Sequence, residues 1–309
     1  MSAAVRRRAL SGPWMICLVL VAWPPGPATA MHKAGHCRPL PAGATFPADF
    51  PLLQDQEWGY RLGGWGGGAG RSPLRRHPVI FVHGNTRDAG DWDEPGRSVK
   101  QRFMNAGYSL RELWALSYNG RSTTDLPSAT QCHTDNQTNI PDLAVFVKAV
   151  LAYTGAEKVD LVAHSLGVTL ARGMLAQHSE LARSVEAFVA IAGPNHGTTV
   201  CRRLWLIWLI GWRDFVGCDE LAPGSAWLMH LNGPGGERET AGPTRSMTIY
   251  DGTGTDVLYL PWLFWVPVRD QDSPALSGAE NVRVPGLTHD ELRTHEKAVS
   301  IYLRFVQQQ

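Results

Sequence analysis

The stretch Val159-Asp160-Leu161-Val162-Ala163-His164-Ser165-Leu166-Gly167 is an apolar run that stops abruptly at a serine held among small residues. When a buried strand ends in a serine and turns at once into a helix, the serine is driven into unfavourable dihedrals, and small residues must stand two positions to either side. Ala163 and Gly167 occupy those places. The pattern is that of a nucleophile elbow. A buried strand followed by a serine N-cap has the same local look, so the rest of the chain decides between the two.

With 309 residues, 44% of them apolar, the chain can bury a large core, and one domain carrying insertions is expected in preference to two equal domains. A net charge of +1 argues against a nucleic-acid binder, because the dense cationic cluster Arg6-Arg7-Arg8 sits where a targeting signal places it. Residues 1–30 read as a secretory signal peptide: that cationic start, an apolar segment from Trp14 to Trp23, and the small-x-small site Ala28-Thr29-Ala30. The segment is short for a membrane span, which leaves an uncleaved anchor as the other reading. The expected product is therefore secreted, extracellular or periplasmic.

Export favours disulfides, and removal of the signal takes Cys17 with it, leaving Cys37, Cys132, Cys201 and Cys218. Four cysteines permit three pairings; Cys201 with Cys218 closes a short loop and leaves Cys37 with Cys132. Free buried thiols are the alternative. No pair has the close Cys-x-x-Cys spacing of a zinc site, so no metal is expected.

Residues 31–77 are rich in glycine and proline, lack sustained periodicity, and are expected to form an irregular arm packed across the domain. The run Gly63-Gly64-Trp65-Gly66-Gly67-Gly68 is not a phosphate loop, which needs a strand before it and a helix after it, because here a strand follows. That strand, Pro78-Val79-Ile80-Phe81-Val82-His83-Gly84-Asn85, opens the core domain, residues 78–309. Its continuous apolar run suits burial on both faces.

An alternation follows. A helix is expected over Ser98 to Ala106, a strand over Leu110 to Ser117, a helix over Ile140 to Tyr153, and a strand over Lys158 to Ala163. Beyond the elbow come a helix from Leu166 to Gln177, strands over Val185 to Ala192, Ser246 to Tyr250 and Asn281 to Val284, and a last amphipathic helix from about Asp290 to Phe305. The polar stretch Tyr118 to Asn139 is expected as a surface loop. Strand and helix alternating at this spacing mean a parallel α/β sheet with helices on both faces.

With the elbow and the His83-Gly84 strand end, this order resembles the α/β-hydrolases. In that fold, main-chain N–H groups after the first core strand turn toward the reacting carbonyl, which assigns Asn85 as one oxyanion donor and the N–H of Leu166, next to the nucleophile, as the other. The fold presents its triad in the order serine, acid, histidine. The acid should follow Ser246 to Tyr250, where Asp251 and Asp256 both stand; the turn Gly252-Thr253-Gly254-Thr255 gives Asp256 the freedom to swing under a histidine and is the reason to prefer it. The base should follow Asn281 to Val284, which selects His289. His83 and His196 are read as structural, and His295 as a helix-surface residue.

These positions extend the resemblance from about Gly59 to the end of the chain, toward the secreted bacterial lipases whose elbow reads A-H-S-x-G, lipase class 2. The glycine-rich entry before Val79 and the stretch Ala152-Tyr153-Thr154-Gly155 are similar to a secreted poly(3-hydroxybutyrate) depolymerase branch. By resemblance Ser165 matches the nucleophile, Asp256 the acid and His289 the base. The departure from the minimal lipases is an insert over about residues 198–245. It contains Arg203-Leu204-Trp205-Leu206-Ile207-Trp208-Leu209-Ile210-Gly211-Trp212 between Cys201 and Cys218, and a second apolar segment, Leu258 to Val268, follows the acid. These are expected to form a lid-like rim, with Trp205 and Trp208 meeting substrate, an ordinary core helix being the alternative.

The reading that results is a secreted, cofactor-free, monomeric serine hydrolase of hydrophobic carboxylic esters, a lipase or carboxylesterase acting through an acyl-enzyme. An extracellular polyhydroxyalkanoate depolymerase is the second choice. A hydrolase-fold protein that only binds is the third, disfavoured because every triad member has a candidate in place.

Overall fold

The computed structural model describes residue 50 and residues 64–68, 73–85, 87–118, 135–201, 217–237, 239–240, 242–263 and 266–308. The signal segment, Cys37, Cys132, Trp205 and Trp208 lie outside the described residues, as do most of the arm and the loop expected after Tyr118.

Strand β1 is the two-residue Trp65–Gly66, and β2 is Val79–Val82, all four of whose residues are buried. After them come β3 (Leu113–Leu116), β4 (Val159–His164), β5 (Val185–Ile191), β6 (Arg245–Tyr250), β7 (Trp262–Leu263), β8 (Val266–Pro267) and β9 (Glu280–Arg283). One sheet takes seven of these in the order β1-β3-β2-β4-β5-β6-β9. Every neighbouring pair in it is parallel except β1 with β3, where Trp65 faces Ala115 and Gly66 faces Trp114 antiparallel. The glycine-rich stretch expected as irregular arm thus supplies an edge strand. A side chain at Gly64 would collide with the carbonyl oxygen of Ala115, so the close approach that makes this edge depends on glycine.

Successive strand residues point to opposite faces, and the two cores follow from that alternation. Ile80, Val82, Leu161, Ala163, Phe188 and Ala190 join one apolar cluster with helix α2 (Asn136–Thr154) and helix α3 (Leu166–Gln177). Val79, Phe81, Val162, Val189 and Ile191 join the other with helix α1 (Val99–Asn105) and the C-terminal helix Glu296–Val306. Each fully buried aliphatic or aromatic side chain contributes about 1.5–3 kcal/mol, which makes this double burial the main support of the sheet.

Three boundaries differ from the sequence expectation for identifiable reasons. Helix α2 starts at Asn136, not Ile140, because Asp135 accepts the Thr138 N–H at 2.7 Å as N-cap and the Glu220 carboxylate accepts the Asn136 N–H at 2.6 Å. β3 loses its first residues to a 3₁₀ turn, Leu110–Glu112, closed by a capping box between Ser109 and Glu112. The final helix is two helices, His289–Thr294 and Glu296–Val306, broken at His295, whose backbone is extended at φ −68°, ψ 138°. His295 is therefore a capping residue between helices, its ring accepting the Lys297 N–H at 3.3 Å, and not a residue on a helix surface.

The segment expected as an insert is described in part. Cys201 and Cys218 form a disulfide with Cα atoms 4.8 Å apart, as the short-loop pairing expected. Beyond it, Cys218–Leu221 and the Ser225-capped helix Ala226–Asn232 fold back, and Trp227, Leu228 and Leu231 enter the core against α3. This half of the insert is core. The segment Leu258 to Val268 contains the antiparallel hairpin β7–β8, with Trp262 57% exposed.

Candidate active site

Ser165 stands between β4 and α3 with φ 56° and ψ −127°. For a residue bearing a Cβ this is a strained conformation, costing on the order of 1–3 kcal/mol, and it persists where surrounding structure dictates it. The dictation is visible. The Ser165 N–H donates to the Ile191 carbonyl at 2.9 Å, prolonging the β4–β5 ladder, and Val168 N–H already closes α3 onto the Ser165 carbonyl at 3.0 Å. A Cβ on Gly167 would stand 2.3 Å from the His83 carbonyl oxygen, and one on Gly84 would stand 3.0 Å from the Ser165 Cβ. Glycine at both positions is what lets the serine turn and the end of β2 share this space.

Leu166 opens α3, so its N–H has no acceptor within the helix. Asn85 lies in the turn after β2, at the same carboxyl end of the parallel strands as the Ser165 turn. These are the two positions expected to donate to an oxyanion.

Asp256 and His289 are brought together: Nδ1 of His289 lies 2.8 Å from Oδ2 of Asp256. The other carboxylate oxygen of Asp256 accepts the Leu258 N–H at 3.1 Å. Because a carboxylate only accepts, Nδ1 carries the proton, and Nε2 is the basic nitrogen. That nitrogen has no hydrogen-bond partner among the described residues.

Asp251, the other candidate acid, is placed elsewhere. Its carboxylate accepts the N–H groups of Thr253 (2.9 Å), Thr255 (2.8 Å) and Gly286 (2.7 Å) and the Thr253 hydroxyl (2.6 Å). Burial pushes its pKa up, but these hydrogen bonds outweigh burial and hold it at about 2. Asp251 is thus a fixed anion that shapes the turn leading to Asp256.

His83 is fully buried, its Nδ1 donating to the Gly84 carbonyl at 2.7 Å while its ring stacks on Tyr118 with centroids 3.9 Å apart. Burial lowers its pKa to about 4. Tyr118 donates its hydroxyl to the His83 carbonyl at 2.8 Å, which steadies the strand end before Asn85. His196 bonds Ser273 O at 3.0 Å and Glu239 Oε1 at 3.1 Å, and takes part in bracing the loop after β5. Both histidines have the structural surroundings expected of them.

Three long-range contacts carry no sequence signal of their own. Arg293, fully buried, donates to the Asp91 carbonyl and so ties the helix after His289 to the turn after β2. Arg87 and Asp290 meet across the same gap at 3.0 Å. His164, adjacent to the serine, lies with its Nε2 3.0 Å from the His289 carbonyl oxygen. Each joins residues far apart in the chain, where periodicity and local motifs say nothing.

Comparison with known proteins places the chain in a family. Human lysosomal acid lipase/cholesteryl ester hydrolase is 25% identical over 182 residues, and the protein of that name from Macaca fascicularis is 24% identical over 181 residues. Both matches cover 50% of this chain, which spans 41% of the length of these relatives. Among solved structures, a Bacillus licheniformis lipase in its mature form superposes with a TM-score of 0.57 at 17% identity, over 78% of this chain and 96% of that one. Aspergillus fumigatus lipase B superposes with a TM-score of 0.56 at 17% identity, over 87% of this chain and 60% of that one. Those likenesses establish the α/β-hydrolase fold. The family model for lipase (class 2) matches residues 76–241, more than half of the sequence, and the chain belongs to that family.

Proposed function

We propose that the chain is a serine hydrolase of hydrophobic carboxylic esters working through an acyl-enzyme. The observation that carries this reading is the 2.8 Å contact of His289 with Asp256, in a chain whose Ser165 is strained at φ 56°. In the first half-reaction Ser165 Oγ bonds to the ester carbonyl carbon while its proton passes to Nε2 of His289. Asp256 holds the Nδ1–H tautomer and stabilises the imidazolium. The N–H groups of Asn85 and Leu166 receive the oxyanion, a preorganised contribution worth about 2.7–4 kcal/mol per donor where one has been removed in a comparable site. The alcohol departs with the proton from His289. Water then repeats the sequence on the acyl-serine and releases the acid. The residues in these roles need neither metal nor organic cofactor.

The substrate is an ester presented at a water-insoluble surface. Val257 and Trp262, 61% and 57% exposed, lie one and six residues after the proposed acid, and exposed apolar side chains suit adsorption. Trp205 and Trp208 are proposed to extend the same rim. A lipid ester is the first reading, and a solid polyhydroxyalkanoate, which would adsorb to the same side chains, is the second. The signal-like residues 1–30 and the Cys201–Cys218 disulfide support export to an oxidising compartment.

Hydrolysis of emulsified tributyrin and clearing of amorphous poly(3-hydroxybutyrate), measured side by side with wild type and Ser165→Ala, test both points. Loss of all ester turnover in a folded Ser165→Ala protein is expected, and undiminished turnover would remove the assignment. Polymer clearing with negligible tributyrin hydrolysis would reverse the order of substrates.

A further inference from the structure

Three groups hold His289. The Asp256 carboxylate takes its ring Nδ1, the Thr288–Glu291 capping box fixes the start of its helix, and His164 reaches its main-chain carbonyl at 3.0 Å. The third contact spans 125 residues of sequence and joins the residue before the nucleophile to the base itself.

We infer that His164 is a positioning residue of the triad, whose ring Nε2–H holds the His289 carbonyl and thereby sets the base against Ser165. The inference rests on the serine-hydrolase reading above. A carbonyl oxygen only accepts, so Nε2 of His164 carries its proton and Nδ1 is bare. Nδ1 has no hydrogen-bond partner among the described residues and lies beside Gly84, where a Cβ would come within 3.3 Å of it. The ring is 2% exposed, and its centroid is 4.6 Å from that of His289. Burial holds its pKa well below that of a free imidazole, with His289 beside it acting in the same direction. His164 therefore stays neutral when His289 becomes an imidazolium during acylation, and the catalytic proton remains on His289. A buried donor at the end of the strand that carries the proposed nucleophile, facing the base's backbone at 3.0 Å, links the two elements directly.

Misplacement of a reacting group by about 1 Å can cost roughly a hundredfold in rate. His164→Phe keeps the ring's bulk without the donor and should lower kcat roughly tenfold to a hundredfold. KM should stay near wild type, because ground-state binding is untouched. His164→Gln, whose amide can reach the place of Nε2, should restore most of kcat, whereas the shorter His164→Asn should not. A folded Phe variant with unchanged kcat would overturn the inference, as would Gln and Asn variants of equal activity. If the Phe variant fails to fold, the Gln and Asn pair carries the test alone. Covalent labelling of wild type by a fluorophosphonate, absent in Ser165→Ala, tests the underlying reading separately; failure to label removes that reading and the inference with it.

Discussion

Asp251 accepts the Gly286 N–H at 2.7 Å, and through that bond the loop bearing Asp256 is joined to the loop bearing His289. The carboxylate of Asp251 therefore ties together the two loops that carry the proposed acid and base. Asp256→Asn should lower kcat by about four orders of magnitude, since the base then favours the wrong tautomer. Asp251→Asn should cost far less in kcat and show mainly as lost stability, about 1–3 kcal/mol for buried donors left without an acceptor. Steady-state kinetics and urea melts on the two variants separate the roles.

Asp251 also predicts an acid limit. Its folded pKa of about 2 lies below the ordinary 3.8, so its stabilisation is present above pH 3.8 and lost as pH falls toward 2, about 2 kcal/mol in all. Urea midpoints measured from pH 5 down to pH 2 should show this drop in wild type and not in Asp251→Asn.

His83 and His164 act in a higher window. Both are buried and neutral, with pKa values depressed below 6.5 by desolvation. The unfolded chain binds protons that the folded chain refuses, so stability falls as pH drops below about 6.5, by about 1.4 kcal/mol per pH unit for each group. Replacing His83 by Asn should flatten that slope between pH 6 and pH 4, read from thermal melts across the range.

The strain at Ser165 should be measurable. Ser165→Gly relieves a φ of 56° and should abolish turnover while melting no lower than Ser165→Ala, glycine's added unfolded-state freedom of about 0.4–1 kcal/mol offsetting part of the relief. A glycine variant clearly less stable than the alanine variant would contradict the strain. Gly167→Ala should fold poorly, because its Cβ meets the His83 carbonyl oxygen at 2.3 Å.

Glu220 links the segment after the disulfide to helices α2 and α3. Its carboxylate accepts from the Asn136 N–H and side-chain amide and from Gln137, while Asn136 Oδ1 accepts the Thr169 hydroxyl of α3. Glu220→Ala should destabilise the protein by about 1–3 kcal/mol. Hydrogen exchange should rise at the start of α2 before it rises at its end.

The chain itself made the sheet legible, because Val79–Val82, Val159–His164 and Val185–Ile191 are near-continuous apolar runs, and only a strand covered on both faces needs them. The candidates Ser165, Asp256 and His289 came from the triad order of the fold the sequence resembles and from glycines that permit sharp turns. What composition and periodicity could not supply was pairing between distant polar residues. Arg293, in the helix His289–Thr294, is buried; Glu220 accepts the N–H that starts a helix 84 residues upstream. The break at His295 was hidden because an amphipathic pattern continues across it. The edge strand Trp65–Gly66 was hidden because glycine carries no periodicity at all.

That edge has a consequence for how the protein behaves when concentrated. The row of backbone groups along β3 that would accept a foreign strand is met by β1, only two residues long and hemmed by glycines. At the other margin β9 turns Glu280, Asn281 and Arg283 toward water. A neighbouring molecule approaching either margin finds a strand too short, or side chains too well hydrated, to continue the ladder. Among the described residues, neither margin of the sheet presents the long apolar edge that edge-to-edge pairing needs.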